Sequence, residues 1–159
     1  MEINVKATGI DDLVKELETL TDTTTGSLKC SVYKGAGAVA DEMSKRVSGL
    51  KTSKRSDKKR KRDLYPYEKE ALTNALGIAP IDGKSEVINT KVGFDGYVEH
   101  NGKRHPIPLI ANACNAGTSF MKKQAFINAT KRGSEAKAVA EMQSELENQI
   151  KRNTRGLLT

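Results

Sequence analysis

The chain has 159 residues, room for one domain, and its 36% apolar and 4% aromatic content without Trp calls for a core of Val, Ile, Leu and Ala. No stretch approaches the roughly 18 apolar residues of a spanning helix, Cys30 and Cys114 make no disulfide framework, and Met1 to Lys6 lacks the regions of a secretory signal. The net charge of +7 lies in one window: Lys51, Lys54, Arg55, Lys58, Lys59, Arg60, Lys61 and Arg62 stand with a single acid, Asp57, and the rest of the chain balances to zero.

In chain order, residues 2–6 alternate as a short strand, and Gly9 opens a new element. Leu13, Val14, Leu17 and Leu20 share a helical face, and Thr21 to Gly26 reads as a polar break. A second helix is expected from Ser27 to Ser48, with Val32, Ala36, Val39, Ala40, Met43 and Val47 as its stripe. Gly35 and Gly37 within it imply close approach of another backbone, and Gly49 is placed to stop it.

Residues 50–64 carry the cationic run without apolar periodicity and read as an exposed loop. Pro66 suits a first helical position, so Tyr67 to Leu76 reads as a short helix ended by Gly77. Residues 86–94 have strand composition, Asp95-Gly96 is a hairpin-turn pair, and Tyr97 to His100 is the expected return. Pro106 and Pro108 open a helix over Leu109 to Ala116. After Gly117, with Thr118 or Ser119 as N-cap, the last helix is expected over Met121 to Asn153. Its candidate buried positions are Ala125, Phe126, Ala129, Val139, Met142, Leu146 and Ile150, with Gly133 as a bend. The fold class is α+β: a single domain with helices packed on a small antiparallel sheet and a long C-terminal helix.

Chemistry is sparse in the sequence. His100 and His105 flank a polar loop, but no third His exists to complete a metal set or a nuclease fragment. Lys34-Gly35-Ala36-Gly37-Ala38 lacks phosphate-loop spacing, and no serine sits in a nucleophile elbow. The expectation is therefore no enzyme, no cofactor and no bound metal. The cationic run alone asks for a partner, either the phosphates of a nucleic acid or an acidic protein surface. It contains no aromatics, so base stacking is not indicated.

Two segments together carry a resemblance. Asn89 to Tyr97 reads N-T-K-V-G-F-D-G-Y, and Gly117-Thr118-Ser119 is followed by an aromatic-opened, charged terminal helix containing Phe126. With Thr8 to Leu13 and Leu76 to Pro80, this resembles the tail-completion, or head–tail joining, proteins of the siphophage and prophage neck. Asn115 stands where that family usually has an acid, and Ala125 where a proline is common. The resemblance implies a virion protein forming a ring of six subunits. Its implied neighbours are the head connector and the tail tube or tail terminator, with DNA in the channel and no membrane. Apart from the resemblance, Gly93 and Gly96 are expected to let the hairpin turn tightly, Gly117 with Thr118 or Ser119 to form the turn and N-cap before the last helix, and Phe94, Tyr97 and Phe126 to anchor the core. A nucleic-acid-binding protein acting through residues 51–62 is the alternative.

Overall fold

The computed structural model describes residues 10–53, 61–81 and 88–157, with side chains described over 21–53, 61–81 and 88–153. The elements in order are α1 (Ile10–Ser48), α2 (Pro66–Ala75), β1 (Leu76–Ile78), β2 (Val92–Phe94), β3 (Tyr97–His100), β4 (Lys103–Pro106), α3 (Ile107–Ala116) and α4 (Phe126–Leu157). The fold is α+β, and its strands form two separate antiparallel pairs, β1–β2 and β3–β4. The strand expected over residues 2–6 lies outside the described residues.

α1 is one helix of 39 residues, about 58 Å long, where two were expected. The hydroxyl-rich stretch from Thr21 continues the helix because its side chains bond back along it. Ser27 Oγ donates to the Thr23 carbonyl and Ser31 Oγ to the Ser27 carbonyl, each at 2.9 Å. Asn153 Nδ2 of α4 donates to Ser27 Oγ at 3.2 Å, an interhelical contact just past the expected break. Gly49 ends the helix as expected, its N–H reaching the Lys45 and Arg46 carbonyls. Lys69 Nζ takes the freed carbonyls of Ser48 and Leu50, at 2.6 and 2.9 Å.

α1 and α4 run antiparallel in the most extensive contact between two elements. Ser27, Ser31, Gly35 and Ala38 are buried on α1, and Thr130, Ser134 and Ala138 on α4. A Cβ on Gly35 would lie 2.3 Å from Met142 Cε, and one on Gly133 2.8 Å from an Arg46 nitrogen, so each glycine admits a large neighbour. Gly37 meets nothing within 4 Å, so the close approach expected at both α1 glycines holds only at Gly35. Several expected core positions of α4 point outward instead. Ala125 lies before the helix and is exposed; Val139 is 49% and Ile150 54% exposed, because the helix turns its small residues toward α1.

The apolar core lies at the other end of this pair. Met43 and Val47 of α1 meet Leu50, Leu64, Leu72 of α2, Ile107 and Ile110 of α3, Met121, and Phe126 of α4. Phe126 is buried as expected, and Phe94 packs edge-on against it at 5.9 Å. Tyr97, expected as a third anchor, is 60% exposed, with the Arg104 guanidinium 4.6 Å above its ring. Cys114 is fully buried in this core. Desolvation pushes its thiol up to about 11, and Glu68 and Asp63 add to the shift.

Asp95-Gly96 does not join paired strands. β2 pairs instead with β1, in register Leu76↔Phe94 and Ile78↔Val92, where the end of a helix had been expected. Gly96, at φ +90°, turns the chain from one strand pair into the next, and Gly93 is an ordinary strand residue opposite Gly77. The hairpin turn is Asn101-Gly102, with φ of 52° and 71°, joining β3 to β4. Within the expected 86–94 strand β2 covers only Val92–Phe94, and the Lys91 carbonyl just before it accepts the Ala79 N–H at 2.8 Å; 86 and 87 lie outside the described residues.

α4 begins at Phe126, five residues later than expected. Its first turn is capped by neither Thr118 nor Ser119: Asn115 Oδ1 accepts the Ile127 N–H at 3.0 Å.

Candidate functional site at the root of the cationic segment

Three extended pieces of chain meet beside the apolar core. Ser53 N–H donates to the Leu64 carbonyl, Arg62 N–H to Phe120, and Lys122 N–H to Arg62, all at 2.8 Å. These are parallel bridges, with Thr52 opposite Leu64 and Arg62 opposite Met121. The side chain of Gln124 fastens the first piece, accepting from Lys51 N–H at 2.8 Å and donating to its carbonyl at 3.1 Å. Both roots of the cationic segment are thus pinned to one ribbon. Lys54, Arg55, Lys58, Lys59 and Arg60 lie outside the described residues.

Alternation sorts the ribbon's side chains. Leu64 and Met121 go into the core, and Arg62 goes inward with them. Its guanidinium makes two 2.7 Å bonds to the Glu68 carboxylate, whose Oε2 also accepts the Tyr65 N–H at 2.8 Å. The hydrogen bond to Glu68 raises the Arg62 pKa above its ordinary value despite desolvation. Arg62 was expected among the free cations of an exposed loop. It is instead a structural residue, and a buried Glu68 stripped of it would be left uncompensated.

The opposite face looks to solvent. The register sets Asp63 beside Lys122, and their ion pair at 3.0 Å follows from it. One step back it sets Lys61 beside Phe120. Gly117, at φ +78°, and Thr118 build the turn that presents Phe120: Thr118 N–H donates to the Met121 carbonyl at 2.9 Å, and Met121 N–H to Thr118 Oγ1 at 3.0 Å. Phe120 is 57% exposed, with exposed Lys61, Lys122 and Lys123 about it in the chain and the register, and exposed Lys51 on the same ribbon.

Planar groups continue from this root. The Arg62 guanidinium lies 4.0 Å from the Tyr65 ring centroid, Tyr65 stacks on Tyr67 at 5.8 Å, and Tyr67 on His100 at 4.0 Å. Desolvation, followed by the charge of Glu68, raises the Tyr67 pKa. The cationic run contains no aromatic residue, but folding sets Phe120, Tyr65 and Tyr67 next to it. Sequence reading missed Phe120 because the pairing of 62 with 121 is not local; the signal available was F-M-K-K following a Gly-Thr-Ser turn.

His100 is held by its ring stack, and among the described residues no three His, Cys, Asp or Glu side chains gather as a metal site. Ser119 is exposed. An open, mainly apolar groove of about 490 Å³ runs between α1 and residues 88–92, lined by Val32, Val39, Ile88, Val92 and Met142. Among the described residues no helix is long and apolar enough to cross a membrane. Neither a scan against protein-family models nor searches of the curated proteins and of the solved structures found a match.

Proposed function

We propose that this chain is a non-enzymatic assembly protein of a phage neck, forming a ring of six subunits between the head connector and the tail tube or terminator. The observation that carries the reading is the clamped root of the cationic segment. The described ends of the segment, Lys51 to Ser53 and Lys61 to Asp63, are hydrogen-bonded into one ribbon, so the segment leaves and re-enters the fold at a fixed place on each subunit. With Arg62 paired to Glu68 the segment offers about +6 per subunit, and ring symmetry would bring the copies onto one annulus, about +36 for six, facing DNA in the channel or an acidic neighbouring ring.

Replacing Lys58, Lys59, Arg60 and Lys61 with Ser tests this, with Arg62 left in place for Glu68. Folding is spared, and phage complemented with the variant lose titre through failed head–tail joining or DNA loss. Wild-type titre sinks the reading. The second reading, a stand-alone nucleic-acid-binding protein, is favoured by the lysines around Phe120. A monomer by light scattering that binds duplex DNA tightly at physiological salt selects it.

A further inference from the structure

We infer that Phe120 and the lysines around it bind single-stranded nucleic acid, the ring stacking on an unpaired base while Lys51, Lys61 and Lys123 hold the phosphates. The turn made by Gly117 and Thr118 fixes the ring outward, and the ribbon fixes Lys61 beside it. Phe120 is therefore preorganised rather than loosely displayed. Among the described residues Lys51, Lys61 and Lys123 make no ion pair, whereas Lys122 is engaged by Asp63. Their charges are available to a ligand.

The combination discriminates between polyanions. An acidic protein surface answers the lysines but leaves the exposed ring in water. A duplex buries its base faces in its own stack and offers the ring nothing. A single strand supplies phosphates and a free base face together, the pairing of cations with an aromatic platform that such sites use. This rests on the cationic segment being a contact surface, as proposed above.

The test is fluorescence anisotropy of the full chain with a labelled oligothymidylate and a duplex of equal length, titrated in salt. Phe120→Ala is expected to weaken single-strand binding by about 10-fold with the salt slope unchanged, and Phe120→Trp to retain it. Lys61→Ser with Lys123→Ser is expected to lower the slope by about 0.7 for each phosphate that is no longer neutralised. The thermal midpoint of Phe120→Ala stays at wild type, since the ring is exposed. Unchanged affinity of Phe120→Ala overturns the stacking site, as does duplex binding as tight as single-strand binding, or competition by polyglutamate equal to that by unlabelled oligothymidylate. Salt-dependent binding that survives in those cases leaves the cationic surface standing; no salt-dependent binding at all overturns both.

Discussion

Where α1 meets the apolar cluster beside α2, it buries Met43 and Val47; along the stretch beside α4 it buries Ser27, Ser31, Gly35, Ala36 and Ala38. One helix therefore joins two regions built on different terms. The first is a head held by transfer of large apolar groups out of water, worth about 1.5–3 kcal/mol for each large side chain. The second is a stalk of two helices held by close approach, with hydroxyls bonded to their own helices' carbonyls and, among the described residues, only alanines as buried apolar side chains. Stability resides chiefly in the head. The stalk keeps Val139 and Ile150 at its surface while small residues fill its seam.

The sharpest way to break this comparison is to remove a large side chain from each region. Phe126 is 4% exposed and meets Phe94 edge-on, so Phe126→Ala is expected to destabilise by about 3–5 kcal/mol. Val139→Ala in the stalk removes a half-exposed group and is expected to stay within about 0.5 kcal/mol of wild type. Chemical denaturation measures both. Equal losses at the two positions would show that the stalk carries a hidden apolar core.

A second test reads the head alone. Cys114 keeps its proton in the folded protein up to about 11, while the exposed thiol of the unfolded chain releases it near 9.0. Between these values the unfolded state has lost a proton that the folded state still binds. The thiol's contribution is therefore complete below pH 9 and declines as pH rises to about 11, by about 2–3 kcal/mol. The comparison is the pH slope of stability in wild type against Cys114→Ala, which lacks the group. Identical slopes would mean that the thiol is not desolvated, and that water enters the head.

The head was legible in part from sequence, since Leu50 and Leu64, buried in it, fell within the segment 50–64 expected as an exposed loop; the stalk was not legible. Met43, Val47 and Phe126 announce themselves because burying large apolar residues at helical spacing is the strongest pattern a chain can carry. Ser27, Ser31, Gly35 and Ala38 follow the same spacing, but they are small or polar, so the stripe expected on that helix was Val32, Ala36, Val39, Ala40, Met43 and Val47 instead. Only the matching series Thr130, Ser134 and Ala138 on a distant segment explains them. The strand pairs failed for a related reason. Tyr97–His100 and Lys103–Pro106 are short and mostly exposed, so no apolar alternation flanked Asn101-Gly102 to mark it as the turn. At the candidate site, the eight cations were legible as charge, but Arg62 turned inward to Glu68, and Phe120 reached the site through a pairing of 62 with 121. Charge is a local property of the sequence. A stacking surface assembled from two segments is not.

The smallest expected effect separates two glycines only two residues apart. Both lie inside α1, where Ala is favoured over Gly by about 1 kcal/mol from propensity alone. At Gly37 a Cβ meets nothing within 4 Å, so Gly37→Ala is expected to stabilise by about 0.5–1 kcal/mol. At Gly35 the Cβ would sit 2.3 Å and 2.5 Å from two atoms of Met142 and 3.1 Å from the Ala138 carbonyl oxygen. Met142 can swing aside, but the carbonyl belongs to the α4 backbone and moves only if the helices part. Overpacking of about 1–3 kcal/mol then outweighs the propensity gain, and Gly35→Ala is expected to destabilise by about 1 kcal/mol net. Urea midpoints at unchanged slope read both effects. Shifts of the same sign would mean that α1 and α4 separate freely at this level, and that the stalk does not depend on close approach.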